Sequence, residues 1–530
     1  MTAAPGTRPG RRARVAARMR RDRERWATWS TPHARRVVLA GFAGSALLTL
    51  GSFGSGAPPV YDPVRRTPVL GMLRDSAGER VALALVYAGL AVLGMAWLHL
   101  GRSVHRREEG VDLRALRRIG LLWGSPLLVA VPLFSRDLYS YAAQAQITRA
   151  GLDPYTVGPA SLPGPFLDEI SRLWVDTPAP YGPLWLGLGR AVATVTGDRV
   201  VTTVLFLRIL AVLGLLLLAR YLPRLARACG VDARFALWLG VLNPLVLIHF
   251  VAGGHNDALM LGLVVAGLAI AAEATEERWV AAGVALCAAA VLVKAPAVIA
   301  VAFLAWIWSR HLAGRWRLVN ACVRTGAVAL ATALVVSLAT GIGFGWVNQL
   351  NTPGAVVTWL SLPTGLGLLI DFLRGVENYI TSEDPVISAC RIGGQIATAG
   401  VALWLWLRAG RLGPVRALWL ALLAIVMLGP VVQPWYVIWP LAIAAATPLP
   451  RKLWLVAAGS SVWLSMMITP QGANLFLELA PVLASGLAAI VATYAVLGHE
   501  HELGPGDPDD VPAAPEPRRA VAPPAVASPA

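Results

Sequence analysis

From Val37 to Leu497 the chain alternates long apolar runs with short polar stretches rich in arginine. A helix needs about 20 apolar residues to cross the ~30 Å hydrocarbon core of a bilayer, and runs of that order recur along the whole region. Fourteen spans are predicted, beginning near residues 37, 81, 119, 200, 235, 257, 279, 296, 322, 385, 415, 435, 453 and 481. Two intervening segments, Ser135 to Arg199 and Gly341 to Pro385, are long and mix Trp, Pro and Gly with short amphipathic stretches. Within the first, Pro183–Thr196 is apolar but short and holds Arg190. It reads as an interfacial or re-entrant helix, because a further crossing there would invert every later loop against the arginine pattern.

Composition narrows the class. Of 530 residues 56% are hydrophobic and only 14% charged, against about a quarter charged in soluble domains. An all-α polytopic membrane protein follows, and a string of soluble domains is excluded. The first 36 residues carry eleven arginines with little apolar surface and read as a disordered basic cytoplasmic arm. Residues 37–498 form the membrane domain, and 499–530, rich in Pro and Ala, a disordered tail. With the N-terminus inside, 31 of the 46 basic residues fall in the arm and inner loops, 10 in outer loops, 3 within spans and 2 in the tail. That asymmetry orients the chain in a plasma membrane with both termini cytoplasmic. It also explains the net charge of +16 through topology, so no nucleic-acid partner is implied. The four cysteines have neither paired nor metal-ligand spacing.

Under this topology the reactive residue types collect at outer ends. Asp137 sits in Ser135-Arg136-Asp137-Leu138-Tyr139-Ser140-Tyr141, where shielding by lipid and aromatic neighbours would raise its basicity and suit it to accept a proton, while pairing with Arg136 would oppose this. A solvated loop carboxylate is the plain alternative. Asp153-Pro154-Tyr155 and Tyr181 follow among turn-forming prolines and glycines, with flat rings and hydroxyls of the kind that bind sugars. Asp153 is also a simple turn former. His255-Asn256-Asp257 cluster against an apolar background, either as a binding group or as a helix cap. Lys294, Arg208 and Arg391 lie in outer portions of spans, where an isolated charge costs ~2.5 to 3.5 kcal/mol at mid-depth. An anionic lipid phosphate would pair them; snorkelling to headgroups is the alternative. Gln433, Trp435 and Tyr436 join two spans on the same face, where aromatic residues also serve as membrane anchors.

The outer face offers no ATP or nucleotide sugar, and no phosphate-binding loop, dinucleotide fingerprint or Gly-x-Ser-x-Gly elbow occurs in the chain. A transferase working there needs a lipid-linked donor. The stretches Ser135 to Tyr141, Gly151-Leu152-Asp153-Pro154-Tyr155, Thr177-Pro178-Ala179-Pro180-Tyr181-Gly182-Pro183 and His255-Asn256-Asp257-Ala258-Leu259-Met260 resemble the polyprenol-phosphate-mannose-dependent α-(1→6)-mannopyranosyltransferases of actinobacterial lipomannan assembly, of the GT-C class. The resemblance covers about residues 37 to 495. It implies a GT-C fold of about fourteen transmembrane helices and an outer loop with interfacial helices. It implies inverting mannosyl transfer from polyprenyl-phosphate mannose to a lipid-anchored mannan, with Asp137 as general base. Lys294, helped by Arg208 and Arg391, would face the donor phosphate. Tyr139, Tyr141, Asp153, Tyr155, Tyr181, His255, Asn256, Asp257, Gln433, Trp435 and Tyr436 would bind sugar or acceptor. GT-C enzymes often carry two nearby acids, and Asp153 and Asp257 are the candidates for the second. No cofactor is called for, and a divalent metal is left open. Another lipid-linked sugar, arabinose or glucose, fits the same features, and a lipid-linked glycan transporter or flippase is the rival class.

Overall fold

The first two spans meet through glycine. A Cβ added at Gly44 would lie 2.7 Å from Leu93 N, one at Gly89 2.7 Å from Gly44 O, and one at Gly51 2.6 Å from Ala82 O. Small residues let the two backbones touch where lipid supplies no hydrophobic drive for association. This pair, α1 (Pro32–Ser55) and α2 (Ser76–His105), opens a chain in which every regular element among the described residues is helical. In the computed structural model these are residues 32–376, 381–472 and 479–498. Most of the basic arm and the whole C-terminal tail lie outside them.

The order continues with α3 (Leu113–Leu127), α4 (Asp137–Arg149), α5 (Pro183–Thr196), α6 (Val200–Ala228), α7 (Ala233–Gly240), α8 (Pro244–Val246), α9 (Asp257–Ala272), α10 (Glu277–Val291) and α11 (Val298–Trp308). Next come α12 (Arg317–Thr340), α13 (Leu362–Leu373), α14 (Pro385–Leu412), α15 (Pro414–Leu428), α16 (Ile438–Ala444), α17 (Arg451–Leu464) and α18 (Leu479–Leu497). Six of the described helices, α1, α2, α6, α12, α14 and α18, are long and apolar enough to cross a membrane, or seven spans if the bent pair Ala233–Gly240 and Pro244–Ala252 counts as one. The protein is therefore a polytopic helical membrane protein. The other runs expected to cross are shorter helices, and the sequence shows why. Pro126 stands at the end of α3, Pro244 follows a 50° bend, and Pro434 starts a 3₁₀ turn ahead of α16. Each proline lacks the amide that a continuous helix would use. The segment Pro183–Thr196 is a separate 14-residue helix, as its length and Arg190 suggested.

Two features carry the candidate residues into register. Asn243 caps α8 by accepting from Leu245 N at 2.9 Å, and its amide donates to Ser461 Oγ at 2.7 Å, fixing the bend. Beyond it a π-helical turn, Leu247–Ala252, leads to Gly254, which has φ +62° and whose Cβ would lie 2.7 Å from Leu138. Only glycine meets both demands. That contact sets the start of α9 against the start of α4. At the opposite end, Trp97 and Trp238 donate to each other's carbonyls at 3.0 and 2.9 Å with rings stacked 4.9 Å apart, tying α2 to α7.

Candidate active site

A cavity of about 280 Å³ lies where α4, the loop before α5, the turn after α10, the segment before α13 and the turn before α16 come together. Its wall includes Asp137, Tyr181, Lys294, Gln433, Trp435 and Tyr436, drawn from positions up to 299 apart in sequence (436 − 137). All of them stand at helix connections that alternate along the chain with the arginine-rich ones.

Asp137 opens α4. Phe134, in the left-handed region at φ 63°, donates its amide to Pro470 O at 2.9 Å, and Ser135 Oγ accepts from Asp137 N at 3.0 Å. This turn sets the carboxylate at a helix N-terminus, where the backbone dipole favours negative charge. Asp137 Oδ2 accepts a hydrogen bond from Tyr141 OH at 3.3 Å and has His255 Nδ1 3.2 Å away. The latter is a close approach without good hydrogen-bond direction, since neither His255 nitrogen has a bonded partner among the described residues. Burial works to raise the Asp137 carboxyl, but the His255 imidazole and the Lys294 charge outweigh it and hold the group below the usual carboxylate range. The expected rise in basicity is thus reversed. Arg136 does not cause this. Its Nε donates to Glu169 O at 3.0 Å and its guanidinium pairs with Glu169 Oε2 at 3.5 Å, while Glu169 Oε1 accepts from Val60 N at 2.8 Å.

His255, fully buried, stacks on Trp435 with ring centroids 4.0 Å apart. Asn256 makes no side-chain cap; its Oδ1 accepts from Tyr141 OH at 3.3 Å. Tyr141 packs edge-on against Tyr181 and Trp185, each 5.2 Å away. The phenol's single O–H is shared between the two oxygens and so links Asp137 to Asn256 behind the cavity wall. Asp257 departs from its expected place. Both its oxygens face Lys294 Nζ at 2.9 and 2.8 Å, and Oδ1 also accepts from Trp439 Nε1 at 2.7 Å. With no exposure and all these bonds made, its carboxylate is not a sugar ligand. Instead it holds Lys294 on the cavity wall, where the ammonium lies 4.8 Å from the Tyr436 ring and 5.5 Å from that of Trp439.

The other residues singled out in the sequence lie elsewhere. Arg208 is buried and donates to Leu128 O and Ala252 O at 2.8 and 2.9 Å, away from the cavity lining. Arg391 donates to Thr364 Oγ1, Gly354 O and Val356 O at 3.0, 2.7 and 2.8 Å. Two carbonyls and a hydroxyl satisfy the Arg391 guanidinium, whereas the buried Arg208 Nε has no partner among the described residues; neither residue lines the cavity. Tyr139 donates to Ala57 O at 2.7 Å, Asp153 turns the chain by accepting from Tyr155 N at 2.9 Å, and Tyr155 donates to Tyr181 O at 3.1 Å. None of these three lines the cavity. Asp153 is therefore no second acid beside Asp137.

Sequence reading missed four groups here. Ser140 and Gln144 line the cavity on the same face of α4 as Asp137, at i+3 and i+7, and Ser140 Oγ and Gln144 Oε1 lack partners among the described residues. That spacing was the available signal. Trp359 is a wall residue, and Trp439 gave no signal beyond being an aromatic near a span end.

Helices of spanning length and one polar, aromatic-rich cavity holding a carboxylate and a lysine define a membrane-embedded enzyme, and the comparisons narrow its class to glycosyltransferases. Residues 38–310 match the family model described as the N-terminal domain of α-(1→6)-mannopyranosyltransferases, and residues 363–498 match the MptB C-terminal domain. The chain is 37% identical over 445 residues to α-(1→6)-mannopyranosyltransferase A of Mycobacterium tuberculosis, covering 82% of this chain and 84% of that one. It is 37% identical to a probable α-(1→6)-mannopyranosyltransferase of Mycolicibacterium smegmatis, with 78% and 80% covered. With α-(1→6)-mannopyranosyltransferase A of Corynebacterium glutamicum it shares 33% identity over 85% of this chain and 96% of that one. No solved structure matches. The chain belongs to the α-(1→6)-mannopyranosyltransferase family and is a mannosyltransferase.

Proposed function

We propose that this enzyme, on a GT-C fold of about fourteen passes, moves mannose from polyprenyl-phosphate mannose to a lipid-anchored mannan acceptor of lipomannan type. Transfer takes place on the outer face of the plasma membrane and forms an α-(1→6) linkage. The observation that carries this reading is the convergence of Asp137 and Lys294, 157 positions apart (294 − 137), on one cavity. A base and a cation facing the same space are what a single displacement from a phosphate donor requires.

The acceptor hydroxyl gives its proton to Asp137 as its oxygen bonds to the anomeric carbon. The bond from that carbon to the phosphate oxygen breaks at the same time, and polyprenyl phosphate leaves with the electron pair, its charge met by Lys294. One displacement inverts a β-linked donor to an α-linked product, with no covalent sugar intermediate. Tyr141 orients the carboxylate by its hydrogen bond, and the His255 ring lies against it. Asp257 and Trp439 hold the lysine. Tyr181, Gln433, Trp435 and Tyr436 supply ring faces and an amide to the sugars. The reaction so written uses no cofactor.

Membranes containing the protein, given labelled polyprenyl-phosphate mannose and a mannan acceptor, should lengthen the acceptor, and Asp137→Asn should abolish this at unchanged protein abundance. Retained turnover in that variant would remove Asp137 from its role. A cysteine at 137 that reacts only from the cytosolic side would overturn the sidedness.

A further inference from the structure

One stretch of the cavity wall comes from an irregular strap. Residues 352–359, between α12 and α13, place Val356, Val357, Thr358 and Trp359 on it with no charged group among them. This strap has no regular hydrogen bonding of its own beyond a short 3₁₀ turn over Thr352–Ala355. It lies between the two stretches that the family domain models match. What holds it is a relay of side chains. Behind it, Arg391 on α14 donates to the carbonyls of Gly354 and Val356 at 2.7 and 2.8 Å and to Thr364 Oγ1 at 3.0 Å. In front, Thr364 donates to Pro430 O at 2.6 Å, Ser361 to Gly429 O at 2.7 Å and Thr358 to Val432 O at 3.4 Å. Those three carbonyls belong to the break between α15 and the turn at Pro434, where no helix can satisfy them. The next residues on that break, Gln433 and Trp435, face the cavity.

We infer that Arg391 is a positioning residue of the transfer reaction: by satisfying the strap's carbonyls it holds Val356 to Trp359, and through Thr364 the Gln433 turn, as the wall that receives the acceptor glycan. The chemistry of the wall selects that ligand. Hydroxyl, indole and amide groups suit a neutral sugar chain, whereas the donor phosphate is met by Lys294, which Arg391 does not touch. This rests on the proposed reading of the cavity as the transfer site. Removing the guanidinium leaves two carbonyls unpaired at the wall, so the strap swings out to find other partners.

The test uses the full-length protein in membranes. Arg391→Met should raise the acceptor KM about ten- to a hundredfold, while the donor KM stays within about twofold, the loss expected for charged hydrogen bonds. Arg391→Lys, which keeps the charge but not the fork, should fall between. Thr364→Val removes the shared hydroxyl from the opposite side and should give the same acceptor-selective rise, which keeps the inference testable if Arg391→Met is poorly folded. A second readout is independent of turnover. Val356→Cys should react several-fold faster with a water-soluble maleimide when combined with Arg391→Met or Thr364→Val than alone. An unchanged labelling rate, or a rise confined to the donor KM, would overturn the inference. Absence of mannosyl transfer by the unmodified protein would instead strike the proposed function and leave the labelling result standing.

Discussion

The two long segments between spans, residues 135–199 and 341–385, do different work although both reach the same cavity. The first delivers reactive groups on a helix: α4 places Asp137, Ser140 and Gln144 on one face, and its start is fixed by Ser135, Phe134 and Gly254. The second delivers only an uncharged wall, held in place by Arg391 from outside it and by its own hydroxyls on the carbonyls of a neighbouring break. Under the proposed reaction the difference teaches that a group taking part in bond making is set on a rigid element, while a surface that meets a long substrate is tied by bonds that can be loosened one at a time.

Changes to the first segment and its partners should therefore be severe and directed at kcat. Asp137→Asn removes the proposed proton acceptor and should lower kcat by roughly 10²- to 10⁴-fold, the range for general base catalysis, in the acceptor-extension assay. Lys294→Met should do nearly as much and also destabilise the protein by about 3–5 kcal/mol, because it leaves Asp257 buried without its cation. Adding Asp257→Asn to Lys294→Met should recover thermal stability in detergent without recovering activity, which separates the two effects. Acidification sharpens the comparison further. The folded Asp137 carboxyl sits below its ordinary value, so its charge persists through the normal carboxylate range, while the stability it contributes is full above the ordinary pKa, fades as pH falls below it and is gone once pH has passed the lowered pKa. A pH–rate profile should show no loss of rate across the usual aspartate titration range, and a limb in that range would contradict this environment. In the second segment, Trp359→Ala should act mainly on acceptor KM, by about three- to thirtyfold for one lost stacking surface, with kcat little changed. The smallest effect belongs to Tyr139→Phe, which deletes one hydrogen bond to Ala57 O outside the cavity and should cost ~0.5 to 1.5 kcal/mol of stability with kinetics unchanged.

Legibility in the sequence followed the same division. The apolar runs and arginine pattern marked where connections fall, and the residue types at those connections pointed to Asp137, Lys294 and the Gln433 turn, which do share a cavity. Three cations at similar depth looked alike because each needs an anionic or carbonyl partner, and which one it finds depends on packing between distant helices. Arg391 found two carbonyls 35 and 37 positions away, and Arg208 the ends of two broken helices. Asp257 resembled a ligand for the same reason, until Trp439, 182 positions on, proved to share its oxygen with the lysine. The number of long helices was less legible than their positions, since proline breaks turn an apolar run into shorter pieces without changing its hydropathy.

The lysine that faces the cavity already owns a counterion. In the proposed cycle an arriving donor does not meet a bare charge but competes with Asp257 for it, so the enzyme never grips phosphate with its full electrostatic strength. When the spent carrier slides back into the lipid, the ammonium returns to a carboxylate that has not moved. A site built this way resists becoming clogged by its own leaving group, which in a membrane stays close by and at high local concentration.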